Sequence, residues 1–200
     1  MDERRPVVGV LALQGAFEAH QRVLADLGYD TLQVRTPAHL EQVDALVLPG
    51  RESTTMSKLL GSSGLFDPVA DRLAAGMPAF GTCAGMILLA ADVLDGRPDQ
   101  RSFGVVDIAV QRNGYGRQID SFETDLAVDG DPVPFRAVFI RAPKMVRHGS
   151  TVEVLASHEG VPVLAREGAV LVASFHPELT GDRRLHQYFV EHCVRHSAAR

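Results

Sequence analysis

Several broad classes are excluded by what the sequence has little of. It carries only two cysteines, Cys83 and Cys193, with no framework spacing and no second thiol beside either. That argues against a disulfide scaffold or a cysteine-based zinc site, and it fits a reducing, cytoplasmic setting. No uninterrupted apolar run is long enough to cross a bilayer, so no membrane span is expected. Nor does an apolar stretch follow Met1-Asp2-Glu3-Arg4-Arg5, as a secretory leader would require. Lysine and arginine are scattered within a net charge of −5, which predicts neither a nucleic-acid surface nor a polybasic membrane patch. Repeats and low-complexity linkers are lacking too. No histidine, cysteine or carboxylate set has metal-ligand spacing, so no metal is assigned. With 200 residues, 46% of them hydrophobic, one domain spanning residues 1–200 is expected.

What is present alternates. Val7 to Leu13 is a nearly continuous apolar run, the pattern of a strand buried on both faces of a parallel sheet. After Gln14-Gly15, Phe17, His20, Leu24 and Leu27 recur at helical spacing, and Gly28 is placed to close that helix. Strands are predicted at Thr31–Arg35, Ala45–Leu48 and Met77–Phe80, with helices at Ser53–Leu60, Leu65–Ala75 and Met86–Leu94. This rhythm predicts an α/β fold with a doubly wound, mostly parallel sheet flanked by helices. Beyond Leu94 come strand-like runs at Val105–Val110, Phe122–Val128, Ala137–Ile140, Val152–Ser157 and Val163–Arg166. Asn113-Gly114, Asp129-Gly130, His148-Gly149 and Glu159-Gly160 mark turns between them, so antiparallel hairpins should extend or cap the sheet. A buried strand at Ala169–Ser174 and a last helix over Asp182–His196 complete the chain.

Chemistry concentrates at Phe80-Gly81-Thr82-Cys83-Ala84-Gly85-Met86. G-x-C-x-G between a strand and a helix is the thiol form of the nucleophile elbow, a turn that lifts one side chain above the sheet. Its glycines make room where backbone crowds backbone, and the helix N-terminus favours a thiolate. A buried cysteine in a glycine-containing turn would read the same way. A thiol needs a base and the base needs an orienter. His176 and Glu178, two apart after an apolar strand, would share a side in extended backbone, and Pro177 restricts His176 to extended geometry. Ala84 would donate one oxyanion N–H. A second should come from Leu48-Pro49-Gly50-Arg51-Glu52-Ser53, which leaves a buried strand for a helix that Ser53 or Thr54 can cap. The other histidines attract less chemistry. His20 is expected at an edge or in the core, His39, His148 and His158 in turns, and His186, His192 and His196 in solvent on the last helix.

Together these residues resemble the class I (triad) glutamine amidotransferases, of flavodoxin-like fold. More narrowly they resemble the glutaminase subunits of pyridoxal 5′-phosphate synthase. The likeness runs from Gly9-Val10-Leu11-Ala12-Leu13-Gln14-Gly15-Ala16 through Leu48-Pro49-Gly50, Glu52-Ser53-Thr54-Thr55-Met56 and the elbow. It continues through Arg112-Asn113, Tyr115–Gln118, Asp120-Ser121-Phe122-Glu123 and Phe139-Ile140-Arg141-Ala142-Pro143 to Ser174-Phe175-His176-Pro177-Glu178-Leu179-Thr180. The resemblance implies hydrolysis of L-glutamine to glutamate and ammonia, without a cofactor, and passage of the ammonia to a barrel-shaped synthase subunit. It implies Cys83 as nucleophile, with His176 and Glu178 as base and orienter. It also implies glutamine-binding positions at Arg51, Glu52, Ser53, Arg112, Ile140 and Arg141. An arginine fork at Arg112 or Arg141 suits the substrate α-carboxylate. The Gln14-Gly15 turn is expected near the synthase docking surface.

One position departs from the family pattern. Where the family reads Leu-Pro-Gly-Gly-Glu-Ser-Thr-Thr, this chain has Arg51 at the second glycine. A side chain there disfavours left-handed backbone by about 1–2 kcal/mol. Either Arg51 donates its N–H from ordinary geometry, or the oxyanion site is impaired and the chain is a regulatory subunit. Another cysteine hydrolase on the same fold, a γ-glutamyl hydrolase or peptidase, is the remaining alternative.

Overall fold

The structure, a computed structural model, describes residues 5–112 and 121–195. The Asn113-Gly114 turn, the Tyr115–Gln118 block, Asp120 and His196 lie outside them. The first half alternates as its sequence pattern requires. It runs β1 (Val7–Leu11), α1 (Phe17–Asp26), β2 (Asp30–Val34), α2 (Pro37–Leu40), β3 (Ala45–Leu48), α3 (Ser53–Ser62), α4 (Phe66–Ala74), β4 (Ala79–Thr82) and α5 (Ala84–Leu89). There follow β5 (Ala90–Val93), β6 (Val106–Gln111), β7 (Ser121–Leu126), β8 (Phe135–Ile140), β9 (Lys144–His148), β10 (Glu153–His158), β11 (Val161–Glu167) and β12 (Val170–Ala173). A 3-10 turn (Pro177–Leu179) and α6 (Arg184–Tyr188) come last, and α6 continues as a π-helical stretch over Phe189–Val194.

Seven strands form the central sheet in the order β10-β11-β12-β4-β3-β1-β2. The five from β12 to β2 are parallel, and β11 and β10 extend them antiparallel. The parallel part has the doubly wound, flavodoxin-like order. Side chains alternate across it, as the period of two requires. Val8, Val10, Ala45, Val47, Phe80, Leu171 and Ala173 enter one core with Leu24 of α1 and Leu185 of α6. Leu11, Leu46, Leu48, Ala79, Val170 and Val172 enter the other with Met56 and Leu60 of α3, Val69 of α4 and Ile87 of α5. Burial on both faces explains why these strands read as unbroken apolar runs.

Three expectations need correction. The helix predicted over Met86–Leu94 stops at Leu89, because the carbonyls of Leu88 and Leu89 are taken by the N–H groups of Phe103 and Val105. Ala90–Val93 then runs as β5, parallel to β6, in a separate sheet β5-β6-β9. Of the second-half hairpins, β7–β8 is a ribbon apart from the main sheet. The last helix is not uniformly α-helical, since the π-helical stretch buries Phe189, Val190, Cys193 and Val194.

Candidate active site

Register places the chemistry. Thr82 pairs with Ala173 and Leu48 with Gly81, so β3, β4 and β12 end together at one edge. The residues that follow them (Gly50, Cys83 and His176) meet there, as expected at the carboxyl ends of parallel strands.

Cys83 has φ 50° and ψ −105°, outside the conformations an L-residue prefers, and its N–H is held by the Ala173 carbonyl at 2.8 Å. Both flanking glycines are sterically required. A Cβ on Gly85 would collide with the Leu48 carbonyl oxygen, and one on Gly81 would meet the Gly85 backbone at 2.6 Å. Gly50 is equally constrained, since a Cβ there would lie 2.5 Å from His176 Cε1 and 2.8 Å from Cys83 Cβ. Gly15, at φ +94°, has no room for a Cβ against the Gly50 carbonyl, so the Gln14–Gly15 turn packs on the same loop.

Cys83, His176 and Glu178 are all buried. The His176 ring lies next to the Cys83 side chain, the two meeting over Gly50, and its Nδ1 lies 2.8 Å from Glu178 Oε1. The two residues do not meet through extended backbone as expected, because Pro177–Leu179 coils into a 3-10 turn that swings Glu178 back under the ring. His176 itself (φ −109°, ψ 86°) keeps out of the helical region, as a residue before proline should, and its N–H donates to Val138 O. Burial alone would push the His176 ring down. The hydrogen bonds to Cys83 and Glu178 and the Glu178 charge outweigh that and raise it to about 10. Glu178 is lowered: burial works against its charge, but His20 and His176 overcome it.

The opposite wall is made of loops. Glu52, not Ser53 or Thr54, caps α3 and accepts the N–H groups of Thr54 and Thr55 at 3.0 and 2.7 Å. Burial opposes its charge, yet the bonds from Thr55 and Thr54 bring it down to about 2. Glu52 Oε1 and Gln100 Oε1 receive the two arms of Arg112, at 3.2 and 3.1 Å. Gln100 Nε2 donates to Ser53 Oγ, and Thr54 Oγ1 donates to Gln100 Oε1. Arg51 is exposed and is not among the three non-glycine residues with positive φ found among the described residues. Arg141 is, at φ 44°, and the turn it makes sets the Ile140 carbonyl 3.9 Å from Cys83 Sγ. Ala84, the first residue of α5, is buried directly beside Cys83.

Two groups went unnoticed in the sequence. Gln100 sits in a polar turn that gives no sign of its links to Arg112 and Ser53. His186, expected in solvent, is fully buried with His20 beneath Glu178.

The profile of the SNO glutamine amidotransferase family matches residues 10–195. The chain is 55% identical to pyridoxal 5′-phosphate synthase subunit PdxT of Mycobacteroides abscessus over 186 residues, covering 93% of this chain and 96% of that one. It is 57% identical over 192 residues to the subunit of the same name from Acidothermus cellulolyticus, covering 93% of each. A crystal structure of a glutamine amidotransferase superposes with a TM-score of 0.87 at 51% identity, over 93% of this chain and 98% of that one. The structure of PurLQS from Thermotoga maritima is similar in fold alone, with a TM-score of 0.66 at 14% identity, over 94% of this chain and 99% of that one.

Proposed function

The chain belongs to the SNO glutamine amidotransferase family and is a glutaminase of the pyridoxal 5′-phosphate synthase type; we propose that Cys83, His176 and Glu178 are the groups with which it works. One observation carries this reading. A buried thiol on a strained elbow lies beside a ring whose Nδ1 is fixed on a buried carboxylate at 2.8 Å, thiol and ring both closing on Gly50. In that arrangement His176 takes the thiol proton as Cys83 Sγ becomes the nucleophile.

Sγ attacks the side-chain carbonyl carbon of L-glutamine, and the oxygen becomes an oxyanion held by the N–H groups of Ala84 and Arg51. His176 gives its proton to the departing nitrogen, which leaves as ammonia, and a γ-glutamyl thioester remains on Cys83. His176 then takes a proton from water as the water attacks the thioester, which releases L-glutamate and restores the thiol. Glu178 holds the ring in the required tautomer throughout. Arg51 keeps a backbone N–H, and its ordinary backbone geometry supports an intact oxyanion site. Arg112 and the exposed Arg141 take the substrate α-carboxylate, while Glu52, Ser53 and the Ile140 carbonyl serve its amino end.

The ammonia passes to a synthase subunit, an assignment supported by relatives named as synthase subunits. The Gln14–Gly15 turn, packed on Gly50 beside the nucleophile, is the docking side we assign. Residues 1–200 act as one glutaminase domain. Neither Cys83 nor Cys193 forms a disulfide, which suits the cytoplasm, and no helix among the described residues is long and apolar enough to cross a membrane. The test is ring synthesis by chain plus synthase subunit, driven either by glutamine or by ammonium salt. Cys83→Ala abolishes the first and spares the second; glutamine-driven synthesis by that variant would remove Cys83 as nucleophile.

A further inference from the structure

Behind the triad the buried polar chain does not stop. Glu178 presents Oε1 to His176, while its other oxygen, Oε2, is buried and accepts no conventional hydrogen bond. Its nearest polar neighbour given by the structure is His20 Nε2, at 3.3 Å. His20 comes from α1, and no part of it is exposed. Its Nε2 also lies 3.2 Å from Thr82 Oγ1, and its Nδ1 lies 2.8 Å from His186 Nε2 on α6.

The protonation pattern of this cluster follows from chemistry. A carboxylate oxygen 3.3 Å away repels a ring lone pair and attracts a ring N–H, so the neutral His20 tautomer carries its hydrogen on Nε2. Nδ1 is then an acceptor and must receive the Nε2–H of His186. His186 Nδ1 becomes a lone pair, and it is the one nitrogen of the cluster that is buried with no partner. An orphan acceptor is easier to bury than an orphan N–H, so the tautomer set that turns an N–H, hydrogen-bonded to Thr82 Oγ1, toward Glu178 Oε2 also leaves the cheapest nitrogen unpaired. The titratable groups around His20 are Glu178 and His176 from the segment after β12 and His186 from α6, with Thr82 and the Phe80 ring completing the enclosure.

We propose that His20, oriented by His186 and Thr82, is a positioning residue for the triad: its Nε2–H pins the outer oxygen of Glu178, so that the inner oxygen stays on His176. This rests on the triad reading above. Without His20, Oε2 is a buried carboxylate oxygen facing no donor, and the carboxylate can relieve that only by turning away from His176 or by taking up a proton. Burial lowers the His20 ring, against the pull of Glu178 and with the push of His176, consistent with a neutral donor.

The experiment is the pH profile of kcat/KM for glutamine hydrolysis, measured with the synthase subunit present. His20→Leu is expected to lower kcat by about tenfold or more, with KM little changed. It should also move the acid limb of the profile upward by about one pH unit, because Glu178 protonates more readily. His20→Gln and His20→Asn supply an uncharged N–H and should recover most of both. If His20→Leu does not fold, Thr82→Val and His186→Leu loosen the same ring from its two anchors and should shift the acid limb in the same direction by less. An unmoved acid limb in the folded variants, or equal losses for Leu, Gln and Asn, overturns the proposal and assigns His20 to packing alone. Cys83→Ala serves as the control: if it still hydrolyses glutamine the triad reading fails, whereas an inactive Cys83→Ala with unshifted His20 profiles defeats the present inference only.

Discussion

Cys83, His176 and Glu178 hang from the ends of two adjacent buried strands, whereas Arg51, Glu52, Arg112 and Arg141 sit on loops and turns at the rim. On the first wall backbone dictates everything: a strained Cys83, three glycines with no room for a Cβ, and ring and carboxylate locked at 2.8 Å. The second wall is held by side chains hydrogen-bonded to one another, with Glu52 and Gln100 bracing Arg112. A reacting atom must be placed to a fraction of an ångström, while a substrate's charged end tolerates a softer grip. Substitutions on the two walls should therefore fail in different ways.

The largest effect is expected at Gly85→Ala. Its Cβ would occupy the position of the Leu48 carbonyl oxygen, so β3 or α5 must move. Overpacking of this kind costs about 1–3 kcal/mol or more, and it displaces Cys83 as well. Denaturant unfolding should show the loss of stability, and activity should vanish with it. Glu178→Gln comes next. It preserves shape but loses the charge that keeps His176 protonated, and kcat should fall by about 10²–10⁴-fold with KM nearly constant. A large rise in KM instead would place Glu178 on the substrate.

Much of this first wall was legible in the sequence. β1, β3 and β12 announce themselves as apolar runs because both of their faces are buried, and G-x-C-x-G carries its geometry locally, whereas His-Pro-Glu named the partners but not the 3-10 turn that joins them. What was illegible depended on partners far along the chain. Ala90–Val93 reads as helix until the N–H groups of Phe103 and Val105 take the carbonyls that would continue it. β9 lacks a strong alternation because three consecutive residues, Val146, Arg147 and His148, are exposed in a small sheet. His186 reads as solvated, since nothing local says that His20, 166 positions away, receives its hydrogen bond in the core.

Smaller effects belong to the second wall. Gln100→Ala removes one of the two acceptors of Arg112 and its link to Ser53. KM should rise by about three- to tenfold with kcat little altered, in keeping with about 1 kcal/mol for one lost hydrogen bond. Arg51→Gly should change kcat/KM by less than about threefold, because the N–H is already present in ordinary geometry; a gain of about 10²–10³-fold would mean that an oxyanion donor is missing in the natural chain.

The acid side of the stability profile separates the walls once more. Burial, reinforced by His20 and weakly opposed by Glu178, pushes His186 down to about 3. An unfolded histidine binds its proton near pH 6.5. Between these values the unfolded chain holds more protons, so stability falls as pH falls, by up to about 1.4 kcal/mol per unit for this one group. His186→Gln should flatten that slope in denaturant titrations, while Gln100→Ala should leave it unchanged.

The central claim is that the elbow thiol, and not the second cysteine, handles the substrate. Cys193 is fully buried among apolar side chains, and burial pushes its thiol up to about 12. Rapid acid quenching of the chain turning over glutamine with its synthase subunit, followed by peptide mass mapping, tests this directly. A γ-glutamyl adduct on the peptide carrying Cys83, and none on that carrying Cys193, is the predicted result. Glutamate release with the adduct on Cys193, or with no adduct under conditions that preserve thioesters, would contradict it.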